Sequence, residues 1–298
     1  MELCLSFSDL NKKRHRTLPL ERTRGKRITM DTDSYMHSLL VANPLRESTL
    51  RAAIETLQLP PGSRGLDAGC GIGLQCLLLA GAVGLTGHVT GLDVSREFLN
   101  RGEEIVNKAG LSERISFQEG DVANIPFDNK TFDWAWSADC IGYGPWEPLP
   151  LLKELARVVK PGGIVAISGW SSENVLPGYP RLEARLRATS GGIAPFVHGK
   201  KPETHFLRAL SWFREIGLKE PAAKVFADSF YAPLSPGIRD ALVGLFKMRW
   251  PDVEIELSSV DQTEFQRLCQ EDSPDYILNL LDYYAFFTHT LFWGKIAK

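Results

Sequence analysis

From residue 45 onward, short apolar runs alternate with stretches whose apolar positions recur every three or four residues. Leu50, Ala53, Ile54 and Leu57 keep helical spacing, and Pro60-Pro61-Gly62 ends that helix. Strands are expected at Arg64 to Asp67, His88 to Asp93, Arg114 to Glu119, Phe132 to Ser137 and Ile164 to Gly169. Ser95 can cap a helix with Phe98, Leu99, Ile105 and Val106 on its apolar face and Gly110 past its end. Leu151, Leu152, Leu155, Val158 and Val159 line another helix, after which Lys160-Pro161-Gly162-Gly163 is expected to turn into the fifth strand. Strands alternating with helices predict an α/β fold, with a mostly parallel, doubly wound sheet covered on both faces. Such sheets bind ligands beyond the carboxyl ends of their strands, where the strand order reverses.

The second half is less regular. Residues 171–202 carry Pro, Gly and Ser clusters, Thr204 to Ile216 reads as helical, and Lys219 to Ala232 as a sixth strand. Residues 236–282 are polar and helix-leaning, and Tyr284 to Ala297 is an aromatic-rich last strand. The expected organisation is a basic, flexible segment at 1–30 and a single domain at 31–298. Covering segments at about 171–202 and 236–282 belong to that domain.

Composition narrows the class. The 298 residues carry a net charge of −2 and 44% hydrophobic content, an ordinary globular balance. No apolar run approaches the roughly 20 residues of a membrane-spanning helix. Met1 to Leu10, broken by Glu2, Ser6, Ser8 and Asp9, does not read as a signal peptide. Residues 1–30 hold eight Lys/Arg against three acids, a net +5 that leaves the remainder at −7. A solvated tail accounts for this stretch, and Met30 opens the more ordinary sequence as a candidate start. Five scattered cysteines predict reduced thiols and a cytoplasmic protein, and none has zinc-site spacing, so no metal is expected.

The candidate chemistry gathers at successive strand ends. Leu66-Asp-Ala-Gly-Cys-Gly-Ile-Gly73 is a strand, a glycine turn and a helix start. Glycines let the backbone turn tightly and approach a ligand, and the helix start offers free N–H groups. Asp67, just ahead of the glycines, repels phosphate but suits an ammonium group or a ribose hydroxyl. Asp93 closes the second strand, where an acid can accept from both ribose hydroxyls. Gly120-Asp121-Val122 follows the third strand. There Asp121 can accept from an adenine amino group and the Val122 N–H can reach a ring nitrogen. The fourth strand ends in Ser137-Ala138-Asp139-Cys140-Ile141-Gly142-Tyr143, beside the glycine turn. An NAD-dependent oxidoreductase would share the first two features, but Leu74 stands where its third glycine belongs.

This set, in this order, resembles the class I S-adenosylmethionine-dependent methyltransferases of the small-molecule branch, which includes quinone, sterol and glycine methyltransferases. Leu66 to Gly73 is similar to their first motif and Gly91-Leu-Asp-Val-Ser95 to their acidic one. Glu119-Gly-Asp-Val-Ala-Asn-Ile-Pro-Phe127 and Leu152-Lys-Glu-Leu-Ala-Arg-Val-Val-Lys-Pro-Gly-Gly163 are similar to the later ones. The resemblance covers about residues 45–170. It implies a Rossmann-like, seven-stranded sheet whose last strand is antiparallel, with S-adenosylmethionine as cofactor. Ala68, Gly69, Gly71 and Gly73 would lie against its methionine part and Asp67 at its amino group. Asp93 and Val94 would hold the ribose and Asp121 and Val122 the adenine, and Ser137 would join them in binding the cofactor.

Methyl transfer from a sulfonium needs alignment and exclusion of water more than it needs a dedicated base. The acceptor pocket is expected from Tyr35 and His37 ahead of the first helix, Asp139, Cys140, Tyr143 and Trp146 after the fourth strand, and Trp170 at the end of the fifth. Trp134 and Trp136 read as core. His198 and His205, flanking the covering segment, lead the candidate bases with Tyr143, ahead of His37 and His289. An isolated histidine more often packs or faces water, so each needs a partner to count. An arsenite-type reaction lacks further thiols near Cys140. A cofactor-binding scaffold without turnover is the binding-class alternative. The acidic body, and the lack of an Asn/Asp-Pro-Pro-Tyr/Phe motif after strand four, favour a small-molecule acceptor over nucleic acid.

Overall fold

The computed structural model describes residues 17–19, 29–143, 146–189, 201–250 and 256–298, with the backbone alone for 17–19 and 29–31. A short antiparallel pair, β1 (Thr17–Pro19) and β2 (Thr29–Asp31), precedes helix α1 (Thr32–Ala42). The rest of the basic segment lies outside the described residues.

Seven strands form the central sheet: β3 (Arg64–Ala68), β4 (His88–Asp93), β5 (Ile115–Glu119), β6 (Phe132–Ala138), β7 (Val159–Asn174), β8 (Lys219–Tyr231) and β9 (Tyr284–Lys295). Their order is β5-β4-β3-β6-β7-β9-β8. The strands from β5 to β7 pair in parallel, and β9 runs antiparallel to both neighbours. The order reverses between β3 and β6, so a ligand crevice is expected beyond Ala68 and Ala138, where these two strands end.

Each face of the sheet buries its own layer. On one side α2 (Glu47–Thr56), α3 (Leu74–Val83) and α4 (Arg96–Lys108) pack on Trp134, Trp136, Ala166 and Leu291. On the other, α5 (Pro148–Val158) and α7 (Ala209–Glu215) cover Leu66, Ala135, Val165, Ile167 and Phe292. The two core tryptophans behave as expected: Trp134 Nε1 donates to Ser63 Oγ at 2.9 Å and Trp136 Nε1 to Gln75 Oε1 at 2.7 Å. Trp134 lies so close to Gly65 that a Cβ there would meet its ring at 2.0 Å.

Three details differ from the sequence expectation. Lys160 to Gly163 is not a free turn, because β7 already pairs at Val159 with Phe132 and resumes at Ile164 with Trp134, bulging the intervening residues. Nor does Trp170 end its strand. β7 continues to Asn174 against β9 after a second irregularity between Trp170 and Ser172. Within 204–216 only α7 is α-helical, after two 3-10 turns at Pro202–Thr204 and Phe206–Arg208. Residues 236–282 form α8 (Pro236–Arg249) and α9 (Ser259–Cys269). Although polar on average, they bury Leu242, Leu245, Phe246 and Trp250 against Val175, Leu176 and α6 (Pro180–Arg187), making a third apolar cluster. Among the described residues no helix is long and apolar enough to cross a membrane.

Candidate active site

The glycine turn between β3 and α3 is built from left-handed backbone. Gly69, Gly71 and Gly73 have φ of +75°, +54° and +74°, a region that side chains with a Cβ enter at a cost. Their surroundings differ. A Cβ on Gly69 would meet Cys140 Sγ at 2.8 Å and one on Gly73 would meet Phe117 at 2.6 Å. One on Gly71 would find nothing nearer than Leu39 Cδ1 at 4.0 Å. The middle of the turn is thus a cradle facing open space.

Two buried carboxyls frame it. Asp93 Oδ2 accepts from the Gly71 N–H at 2.9 Å and Oδ1 from the Ser95 N–H at 3.0 Å, which ties the end of β4 to the turn. Burial raises the Asp93 carboxyl above its ordinary range despite those donors. Asp67 is 1% exposed and accepts from Cys76 Sγ at 3.2 Å. Burial lifts its carboxyl from 3.8 to about 7, with the neighbouring Asp93 adding to the rise. A nearby cation would reverse that, so the pair suits a ligand that brings positive charge.

On the next loop, Asp121 Oδ1 accepts from the Ala123 N–H at 2.8 Å, and Val122 is buried inside the turn. Two residues of α5 brace this loop, and sequence reasoning gave them no role. Arg157 donates to the Ile125 and Phe127 carbonyls, both at 2.8 Å, and Glu154 accepts from the Ile125 N–H at 3.0 Å. They sit three apart in the Leu152 to Gly163 motif, a spacing that puts both on one helix face.

The third wall begins at Asp139, a non-glycine residue with φ of +49° just after β6. It is buried and forms an ion pair with Arg46, from the turn before α2. Its Oδ1 accepts from the Trp170 N–H at 3.0 Å. Arg46, with His289 and the Trp170 N–H, holds the Asp139 carboxyl below its ordinary range against the cost of burial. Around this pair stand Trp170, whose ring lies 5.2 Å from that of His289 and 4.9 Å from that of Phe287, and Arg249, 5.6 Å above the Trp170 ring. Arg249 is paired with Glu173 at 3.0 Å. Arg46, Arg249 and Glu173 carried no sequence signal, because each acts across a long separation.

The other expected site residues divide. Tyr35 stacks on Phe98 at 5.8 Å, and burial holds its phenol above its ordinary value, with Arg46, Asp139 and Asp93 close enough to act on it. His37 is exposed on α1. The Ser137 hydroxyl does not face the cradle but donates to the Ala68 carbonyl across the sheet at 2.7 Å, leaving Ser137 to join β3 to β6. Tyr143 is buried and its hydroxyl donates to the Trp170 carbonyl. Burial keeps that phenol protonated, which suits a wall better than a proton carrier. Trp146 is partly buried and packs against the core that α5 and α7 cover. His205 accepts from the Leu207 N–H through Nδ1 at 3.2 Å, capping a 3-10 turn, and His198 lies outside the described residues. Cys70, Cys76 and Cys269 are free thiols, whereas Cys140 is disulfide-bonded, which corrects the expectation of uniformly reduced cysteines.

Residues 66–163 match the family model described as a methyltransferase domain. The chain is 39% identical over 206 residues to a demethylmenaquinone methyltransferase of Lysinibacillus sphaericus, covering 65% of this chain and 82% of that one. It is 26% identical over 227 residues to the 27-O-demethylrifamycin SV methyltransferase of Amycolatopsis mediterranei, covering 74% and 78%. Among solved structures it superposes on a Haemonchus contortus phosphoethanolamine N-methyltransferase with S-adenosyl-L-methionine. There the TM-score is 0.52 and the identity 18%, with 90% of this chain and 58% of that one covered, a likeness of fold alone.

Proposed function

Because the chain belongs to the class I S-adenosylmethionine-dependent methyltransferases, we propose that it methylates a small molecule held between the glycine turn and the Asp139–Trp170 wall. The names of the Lysinibacillus and Amycolatopsis relatives each specify a small-molecule acceptor, which supports that class. The observation that carries the proposal is the Gly71 cradle, open where a Cβ would stand and flanked by two buried carboxyls. S-adenosylmethionine, when bound, supplies an electrophilic methyl group on a sulfonium.

The chain's residues would do the rest by position and charge. Asp67 would face the ammonium group, directly or through water. Asp93, with each oxygen already accepting one backbone N–H, has lone pairs left for the ribose hydroxyls. Asp121 and Val122 would meet the adenine, on a loop that Arg157 and Glu154 keep in shape. Tyr35, Asp139, Tyr143, Trp146 and Trp170 would line the acceptor side and exclude water. Their main contribution is alignment, which can be worth on the order of 7–11 kcal/mol. A single domain and the exclusion of nucleic acid as acceptor belong to the same proposal.

Calorimetry with S-adenosylmethionine and S-adenosylhomocysteine tests it. One molecule should bind per chain, and Asp93→Asn should weaken binding at least about tenfold, since hydrogen bonds to a charged group contribute about 1.5–3 kcal/mol each. Absence of binding by the unaltered protein would sink the proposal.

A further inference from the structure

Behind the acceptor wall lies a group of buried polar atoms that the cofactor reading does not use. Arg46 Nε, Ser168 Oγ, Trp170 Nε1 and His289 Nε2 are all buried without a hydrogen-bond partner among the described residues. Register places three of them together on the α2 side of the sheet. Trp170 sits opposite His289, and Ser168 sits opposite Leu291 and beside Ala138. Arg46 reaches the same point through Asp139. A buried polar group without a partner is destabilising, and four in one region are hydrogen-bonding capacity that the fold itself leaves unused.

The chemistry of His289 follows from its neighbour. The single hydroxyl hydrogen of Thr49 goes to the Arg46 carbonyl at 2.8 Å. At its 2.9 Å contact with His289 Nδ1, Thr49 must therefore accept. Nδ1 carries the ring proton, and Nε2 is a bare acceptor on a side chain with no exposure to solvent.

We propose that His289 Nε2 receives the hydroxyl hydrogen of the methyl acceptor, so that the acceptor is a hydroxyl-bearing molecule methylated on oxygen. The proposal rests on the methyltransferase reading of the same site. An ammonium acceptor fits less well. Asp139 is matched by Arg46 and Glu173 by Arg249, leaving this cluster no uncommitted carboxylate among the described residues. The remaining open groups are the Trp170 and Arg46 N–H donors and the Ser168 hydroxyl, which suit further oxygen atoms beside the reacting one.

As the acceptor oxygen bonds to the methyl carbon, the carbon–sulfur bond breaks and its electron pair stays on sulfur. The hydroxyl proton passes to Nε2 and leaves to solvent with the product. The charged groups facing the imidazole are Arg46, from the turn before α2, and Asp139, after β6; β7 and β8 present Trp170 and Phe226. Burial first, and Arg46 second, hold the imidazole down to about 3, with Asp139 opposing. A base so weak cannot strip a resting alcohol. It can take the proton as the carbon–oxygen bond forms, because the hydroxyl becomes a far stronger acid than an imidazolium while its oxygen gains positive charge in the transition state.

The test uses the full-length protein with methyl-13C S-adenosylmethionine and a small-molecule cell extract as acceptor pool. The carbon chemical shift of the transferred methyl should be that of an O-methyl group. His289→Gln should slow transfer by about 10²–10⁴-fold, the usual worth of a positioned base, with calorimetric binding of S-adenosylmethionine unchanged. Its residual rate should climb with pH, while the unaltered protein stays flat from about pH 5 to 8, as a base near 3 requires. Thr49→Val, which only frees the tautomer, should also slow transfer. Nitrogen-15 spectra of the unaltered protein should show the His289 proton on Nδ1. Transfer to nitrogen, sulfur or carbon overturns the proposal, as does no transfer while cofactor binds, a proton on Nε2, or an unimpaired His289→Gln protein. Failure of the unaltered protein to bind S-adenosylmethionine would instead refute the methyltransferase reading.

Discussion

Replacing Asp67 by Asn should stabilise the ligand-free protein and abolish its use of the cofactor. The carboxyl is 1% exposed and is raised from 3.8 to about 7, chiefly by burial. A carboxyl shifted that far has lost roughly 4 kcal/mol of preference for its charged form. Since the folded value is the raised one, stability is fully retained below about pH 4 and is lost as pH rises towards 7. The Asn side chain keeps an acceptor for Cys76 but carries no charge. The variant should therefore match the parent at pH 4, gain on it through pH 5 and 6, and lead by up to about 4 kcal/mol at pH 8. Urea unfolding across that range, without ligand, reads the difference directly. Calorimetry should show the converse. Cofactor binding to the parent should weaken about tenfold per pH unit below 7, as the carboxylate is neutralised, and Asp67→Asn should bind poorly throughout. A stability difference that stays constant from pH 4 to 8, or an Asn variant less stable at pH 8, would refute the account of Asp67 as a buried charge waiting for a cation.

The glycine turn and the Arg46–Asp139 pair give two further expectations. Gly71→Ala should cost about 1–2 kcal/mol for left-handed backbone and remove cofactor binding, because its Cβ enters the cradle. Gly69→Ala meets Cys140 Sγ instead, and should lose more stability in a melting experiment. Arg46→Met should cost about 3–5 kcal/mol at pH 7 by leaving the Asp139 carboxylate buried and unpaired, and adding Asp139→Asn should recover most of it. The Asp139 carboxyl is held below its ordinary value, so this penalty is present above about pH 4 and fades as pH falls further.

Sequence marks the residues proposed for the cofactor more plainly than those proposed for the acceptor, for a physical reason. Asp67, the glycines, Asp93 and Asp121 lie within a few residues of their own strand ends, so spacing alone picks them out. The wall proposed for the acceptor is made of distant partners: Arg46 and Asp139 are 93 residues apart and Thr49 and His289 are 240 apart. Nothing local marks such pairs. Ser137 and Tyr143 stood at the right strand end, yet their hydroxyls serve the Ala68 and Trp170 carbonyls, a choice made by packing. Lys160 to Gly163 carries turn chemistry that the sheet absorbs as a bulge. Residues 236–282 look polar on average because their buried leucines and aromatics are spread along one side of two helices.

The strand order carries a consequence for how the molecule is assembled. Of the strands among the described residues β9 is the last to be synthesised, yet it lies inside the sheet, between β7 and β8. β8 touches the sheet only through β9 and must wait for a partner synthesised ~50 residues later, a long-range closure of the slow kind. Strands β3, β4 and β5 have every strand partner within the first 140 residues and can close early. His289 rides on the latecomer. On the proposed function, a nascent chain can thus shape its donor side well before it acquires the wall proposed to face the acceptor, and losing β9 would undo two strands at once.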